Sequence, residues 1–258
     1  MKPLAGRRVL ITRPADQAEG LAGRIRAAGG EALCVPAIAI RELEDLGPFD
    51  ALADRLASFD LAIFVSRNAV RKALALLRER RGAAAWPARL RVATVGQGSR
   101  EELEAQGFAQ VIAPAAQSDS EALLALPDLA AQVVRGRRVV IFRGDAGRAL
   151  LGEELERRGA AVEYAACYRR VRPDNGAAAR EIWSRGVDAV TASSAEGLAN
   201  LLEMLGPRAE GLERTPFFLP HQRVAAEAAR RGLARAIVAG PRDADMAASL
   251  VAYFGAAR

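Results

Sequence analysis

Arg13 and Arg143 each follow an apolar run, Val9-Leu10-Ile11-Thr12 before one and Val139-Val140-Ile141-Phe142 before the other. A guanidinium at the end of a buried strand can hold a carboxylate through two parallel N–H donors, though solvated surface arginine is the plainer alternative. Ser66, Gly96, Gly144, Ser194 and His221 sit where β-prone runs give way to helical ones. A turn at a helix N-terminus exposes backbone N–H groups and the positive end of the helix dipole, which suits an anion; the same residues also serve as routine helix caps. Tyr168, one of three tyrosines, offers different chemistry. A phenol is protonated at neutral pH and can donate a hydrogen bond or a proton. His221 is the single histidine, and a structural role competes with ligand contact there.

Other constellations are weaker. Gly96-Gln97-Gly98 follows a strand and opens a helix, as a dinucleotide fingerprint does, but Glu101 stands where the third glycine belongs. A tight turn or an anion nest fits the same residues. No Ser-His-Asp order or paired-carboxylate motif stands out. Asp243 and Asp245 read as a helix cap and a surface charge rather than metal ligands. Cys34 and Cys167 are the only cysteines, too few for a disulfide framework or a zinc site. Both are expected to be free thiols acting as small core hydrophobes.

The elements that must position these residues repeat. Gly6-Arg-Arg-Val-Leu-Ile returns as Gly136-Arg-Arg-Val-Val-Ile, 130 positions on, and Arg13, Leu21 and Gly29 match Arg143, Leu151 and Gly159. At an offset of 128, Asp60, Ser66, Leu74 and Leu77 match Asp188, Ser194, Leu202 and Leu205. At 125, Gln97, Glu102, Gly107 and Ile112 match Gln222, Glu227, Gly232 and Ile237. The period is far longer than that of solenoid repeats and implies a duplicated unit with two similar lobes. A cleft between lobes is a common place for a small molecule.

Apolar runs alternate with segments of helical period, which predicts βα units and parallel sheets. Strands are expected at Arg8–Thr12, Glu31–Val35, Leu61–Val65, Arg91–Val95, up to Phe142, and near 189–192, 217–219 and 236–238. Helices are expected at Gln17–Ala28, after Ser66, after Gly98 and from Ser120, at Arg148–Arg158, and from Asp243 as cap. Val35–Arg41 and Ala166–Val171 break the rhythm and are flanked by Pro36 and Pro173. They are read as linkers between discontinuous lobes. The expected boundaries are 1–35 with 172–258 for one lobe, 40–166 for the other, and 36–39 and 167–171 for the linkers.

The chain of 258 residues carries a formal charge of +6, so nucleic acid, anionic membrane and polyanionic metabolites all come into question. Basic residues are spread rather than blocked into a tail, and no aromatic-basic alternation of the base-stacking kind occurs, so nucleic acid is not an expected partner. No apolar run approaches the ~20 residues that span a bilayer, and Thr12, Arg13 and Pro14 interrupt the first one. A cytoplasmic location and no membrane partner are expected.

Val9-Leu-Ile-Thr-Arg-Pro14, Phe64-Val-Ser-Arg-Asn-Ala69, Val95-Gly-Gln97, Ser118-Asp-Ser-Glu-Ala-Leu-Leu124, Arg143-Gly-Asp-Ala-Gly-Arg148 and the Tyr168-Arg-Arg segment, in this order over nearly the whole chain, resemble uroporphyrinogen-III synthase. The resemblance implies two doubly wound, flavodoxin-like α/β lobes joined by a two-stranded linker. It implies dehydration and ring closure of hydroxymethylbilane, a linear tetrapyrrole with eight carboxylates, with inversion of the last pyrrole. It implies no metal or organic cofactor, and a monomer is expected. Tyr168 takes the place of the family's cleft tyrosine as catalytic residue. Ser66, Arg67, Gly96, Gln97 and Ser99 become candidate substrate contacts. So do Arg143, Gly144 and Arg148, and in the other lobe Arg13, Ser194, His221 and Gln222. Where other members often carry Gly with Thr at the last turn, this chain has Pro220-His221-Gln222-Arg223, which leaves backbone contacts there but not a hydroxyl. A two-lobed protein that binds an anionic metabolite without chemistry would use the same residues; turnover separates the two.

Overall fold

The structure is a computed structural model that describes residues 2–82, 86–115, 119–206, 209 and 211–256. Ser118, part of one motif above, lies outside the described residues. The elements run β1 (Arg8–Ile11), α1 (Ala15–Ala27), β2 (Glu31–Cys34), β3 (Ala39–Arg41), α2 (Gly47–Asp54), β4 (Leu61–Phe64), α3 (Arg67–Arg81), β5 (Arg91–Thr94), α4 (Gln97–Ala105) and β6 (Val111–Ile112). They continue α5 (Ser120–Leu124), α6 (Ala131–Val134), β7 (Arg138–Gly144), α7 (Leu150–Arg157), β8 (Ala161–Val171), α8 (Gly176–Ser184), β9 (Ala189–Thr191), α9 (Ala195–Leu205), β10 (Phe217–Leu219), α10 (Gln222–Arg230), β11 (Ala236–Val238) and α11 (Asp243–Ala256). Two compact units result: Met1–Ile40 with Val171–Arg258, and Arg41–Arg170.

The first unit holds a five-stranded sheet in the order β11-β10-β9-β1-β2, with parallel pairings. Side chains on a strand alternate between faces, and both faces here are covered. Val9 and Ile11 of β1 and Phe218 of β10 join Leu21 and Ile25 of α1 and Leu250 of α11 in one core. Leu10, Phe217 and Leu219 join Leu198 and Leu201 of α9 in the other. Helix α1 buries Ala18, Leu21, Ala22 and Ile25, one face at helical spacing. It stops where Gly29 takes φ +90°, a conformation that costs glycine little.

In the second unit the order is β8-β7-β4-β5-β6. Leu61, Ile63, Val139 and Ile141 pack with Leu151 and Leu155 of α7 on one face. On the other, Phe64 and Phe142, register partners on β4 and β7, stack with ring centroids 4.8 Å apart.

Setting β1-β2-β9-β10-β11 beside β7-β8-β4-β5-β6 matches the two orders strand for strand. The duplication extends to side chains. In the first unit Asp188 accepts from Arg7 Nη1 at 3.0 Å and from the Arg8 N–H at 2.9 Å. In the second, Asp60 accepts from Arg137 Nη1 at 3.1 Å and from the Arg138 N–H at 2.9 Å. Arg8 then reaches Glu31 and Arg138 reaches Glu163, each at 3.2 Å. The repeated Arg-Arg pair is therefore a clamp at the strand start, opposite the strand ends where ligands of open α/β sheets bind.

Residues 167–171 form the end of β8, an eleven-residue strand that pairs with β7 as far as Tyr168. Two expectations need correction. Cys34 is exposed at the end of an edge strand, and only Cys167 is a core residue. Asp243 is the first residue of α11 and directs its carboxylate to Arg13. Sequence periodicity missed α2 and α8.

Candidate active site

Four strand-to-helix turns share one backbone form. The residue before the helix has φ, ψ of −164°, 164° at Ser66, −156°, 157° at Gly96, −156°, 159° at Ser194 and −164°, 166° at His221. An extended residue there lets its side chain, if polar, turn back onto the first helical turn. Ser66 Oγ accepts from the Ala69 N–H at 3.1 Å, and Ser194 Oγ from the Gly197 N–H at 3.0 Å. Gly96 and His221 make no such side-chain cap. Each unit thus presents one serine-capped and one side-chain-uncapped helix start at the carboxyl edge of its sheet.

Tyr168 is set by an irregularity in β8. Arg143 faces Ala166, but the next β7 residue, Gly144, faces Tyr168, so Cys167 is the extra residue of a bulge. A bulge re-aims the side chain that follows it. The Asp145 N–H bonds the Tyr168 carbonyl at 2.9 Å and the Cys167 thiol donates to the Arg143 carbonyl at 3.1 Å, which fix the bulge from both sides. The Tyr168 ring is buried, 1 % exposed, and lies against the bare Cα of Gly144. Its hydroxyl is 3.1 Å from Ser66 Oγ. The phenol therefore sits at the N-terminus of α3, at the carboxyl edge of β4 and β7.

The other predicted residues are held by neighbours in their own unit. The Arg67 guanidinium packs on Gly98, whose missing side chain leaves the room, so the first turns of α3 and α4 share one cation. Gln97 Nε2 donates to the Pro114 carbonyl at 2.6 Å and anchors the segment after β6. Ser99 is buried in α4. Arg143 lies over the Tyr164 ring, 5.0 Å from its centroid, and Arg148 pairs with Glu121 at 2.6 Å. In the first unit, Arg13 pairs with Asp243, while Gln222 opens α10 on the surface. The matched arginines thus have unmatched partners, an acid for Arg13 and a ring for Arg143. The contacts of Gly98 with Arg67, Asp243 with Arg13 and Glu121 with Arg148 escaped the sequence reading because the partners lie far apart in the chain.

The family model for uroporphyrinogen-III synthase HemD matches residues 19–248. The chain belongs to the uroporphyrinogen-III synthase family. The synthase of Salmonella typhimurium is 38% identical over 201 residues, 75% of this chain and 78% of its own length. That of Escherichia coli is 32% identical over 202 residues, 76% of this chain and 79% of its own. Among solved structures, a mutant uroporphyrinogen III synthase from Thermus thermophilus superposes with a TM-score of 0.64 at 16% identity, over 95% of this chain and 97% of that one. The Helicobacter pylori enzyme does so at 0.61 and 13%, over 96% and 99%. These two likenesses show the fold. The activity of the uroporphyrinogen-III synthase family, a cyclising dehydration in tetrapyrrole biosynthesis, is the activity of this chain.

Proposed function

We propose that the chain closes hydroxymethylbilane to uroporphyrinogen III with Tyr168 as the proton donor, and that the helix starts at the carboxyl edges of its two sheets receive the substrate's carboxylates. The observation that carries the residue assignment is the Tyr168 hydroxyl 3.1 Å from Ser66 Oγ at a helix N-terminus. Proton transfer to the substrate's hydroxymethyl oxygen releases water and leaves an electrophilic azafulvenium cation; the proton lost from the pyrrole carbon at ring closure makes up the one that Tyr168 gave. The electrons that close the ring come from the terminal pyrrole. Attack through its free carbon gives the uninverted macrocycle. Attack through its substituted carbon gives a spiro intermediate that fragments and recloses with that ring turned over.

The substrate is already reactive, so selectivity rests mainly on orientation. A difference of about 3–4 kcal/mol between the two closures makes the wrong isomer negligible. Backbone N–H groups and arginines suffice for that task, and the phenol adds about 10²-fold, the low end of proton-transfer effects. In this reading the enzyme is a cytoplasmic monomer acting on a small molecule, with no nucleic-acid or membrane partner. No helix among the described residues is long and apolar enough to cross a membrane.

Purified protein given freshly generated hydroxymethylbilane should yield the inverted isomer when the oxidised products are separated by chromatography. Formation of the uninverted isomer alone overturns the reading. Tyr168→Phe should lower the rate about 10²-fold with isomer choice retained; an unchanged rate removes Tyr168 from the mechanism.

A further inference from the structure

We propose that Ser66 is the positioning residue of Tyr168: its hydroxyl holds the phenol oxygen and stays bonded to it as the proton leaves. The inference rests on Tyr168 being the proton donor, and it gives Ser66 a role other than contact with substrate. Ser66 Oγ already accepts from the Ala69 N–H, which fixes it at the head of α3. One lone pair and its proton remain. Tyr168 OH, at 3.1 Å, can use either.

The two arrangements have different consequences. With the phenol donating to Ser66, its proton is held inside the protein. With Ser66 donating to the phenol oxygen, the phenolic proton turns away toward a leaving hydroxyl. When the phenol gives up that proton, Ser66 O–H donates to a phenolate, a charge-assisted bond stronger than the neutral one. The phenolate also lies at the positive end of α3, a fifteen-residue helix. Half-buried Ser66 and buried Tyr168 keep this exchange out of bulk water. The bulge at Cys167 and the bare Cα of Gly144 fix the ring, so the serine acts on an oxygen that cannot swing away.

The test separates capping from positioning. Glycine is accepted at an N-cap but has no hydroxyl, whereas threonine keeps both functions. Ser66→Gly is expected to lower kcat about tenfold with KM within about twofold and an unchanged circular dichroism spectrum. Ser66→Thr is expected to restore kcat. In the Tyr168→Phe background, Ser66→Gly is expected to cost nothing further. Wild-type kcat in Ser66→Gly, or effects that multiply in the double variant, would overturn the inference and return Ser66 to substrate contact. If Ser66→Gly loses its fold, Ser66→Asp, which also caps but has no proton to donate, replaces it in the same cycle. Full activity in Tyr168→Phe alone would instead sink the proton-donor reading, so the two failures are distinct.

Discussion

Arg13 and Asp243, 230 residues apart in sequence, form an ion pair within the first unit, with side chains only 11% and 27% exposed. The pair ties the end of β1 to the first turn of α11, where an acid also suits the helix dipole. Removing either partner leaves the other largely desolvated. Arg13→Ala should lower stability, and a double-mutant cycle with Asp243→Ala should give a coupling of about 1–2 kcal/mol in urea denaturation. Zero coupling, together with a raised KM in Arg13→Ala, would mean that the guanidinium serves substrate rather than fold.

Gly144 sets the ring of Tyr168. A methyl group at Gly144 would stand 3.0 Å from Cε2 and 3.2 Å from Cζ of the ring, so the ring must retreat by a few tenths of an ångström. That movement strains the contact to Ser66. Gly144→Ala should reduce kcat several-fold while costing about 1 kcal/mol of stability, and Gly144→Val should do more of both. Steady-state kinetics beside thermal melts would check this. Parent-like kcat in Gly144→Val would show that the ring position is not critical.

Acid sensitivity should come in part from Glu154. Hydrogen bonds from Arg157 and Arg158, each at 2.7 Å, hold its carboxyl down to about 2 from an ordinary 4.5. A carboxylate lowered in the folded state stabilises the fold above its unfolded value, and that contribution fades as pH falls through the folded value. The window is therefore between about pH 4.5 and pH 2. Glu163, lowered chiefly by Arg55 and further by Arg138, acts in the same direction. Urea midpoints measured down through this range should fall less steeply for Glu154→Gln than for the parent. High salt should shrink the difference, because Arg157 is exposed. Superimposable slopes would mean that the pair has no weight in solution.

The two thiols should behave differently. Burial pushes Cys167 up to about 12, and it lies in the bulge behind Tyr168. Cys34 is exposed, with its thiol raised by a lesser burial that Arg26 opposes. Since the thiolate is the reactive form, a native titration with an aromatic disulfide reagent should count one thiol, and a titration in denaturant two. Two thiols of equal native rate would mean that the bulge opens readily.

The duplicated Gly-Arg-Arg-Val strand starts, the apolar alternation and the serine and glycine turns determined the α/β class, the repeat and most element positions, because each is a local pattern of period, cap or copy. Asp60 and Asp188 stood out as matched positions in the repeat, but their grip on the Arg-Arg pairs shows only in the structure. Tertiary structure decided the rest. Whether Tyr168 follows a regular strand or a bulge depends on its register with Gly144, 24 residues earlier, and nothing local encodes that slip. Whether Arg13 is open to a ligand depends on Asp243, from the far end of the chain. A hydrogen bond or an ion pair needs two groups within about 3 Å, and only the folding of distant segments against one another sets that distance.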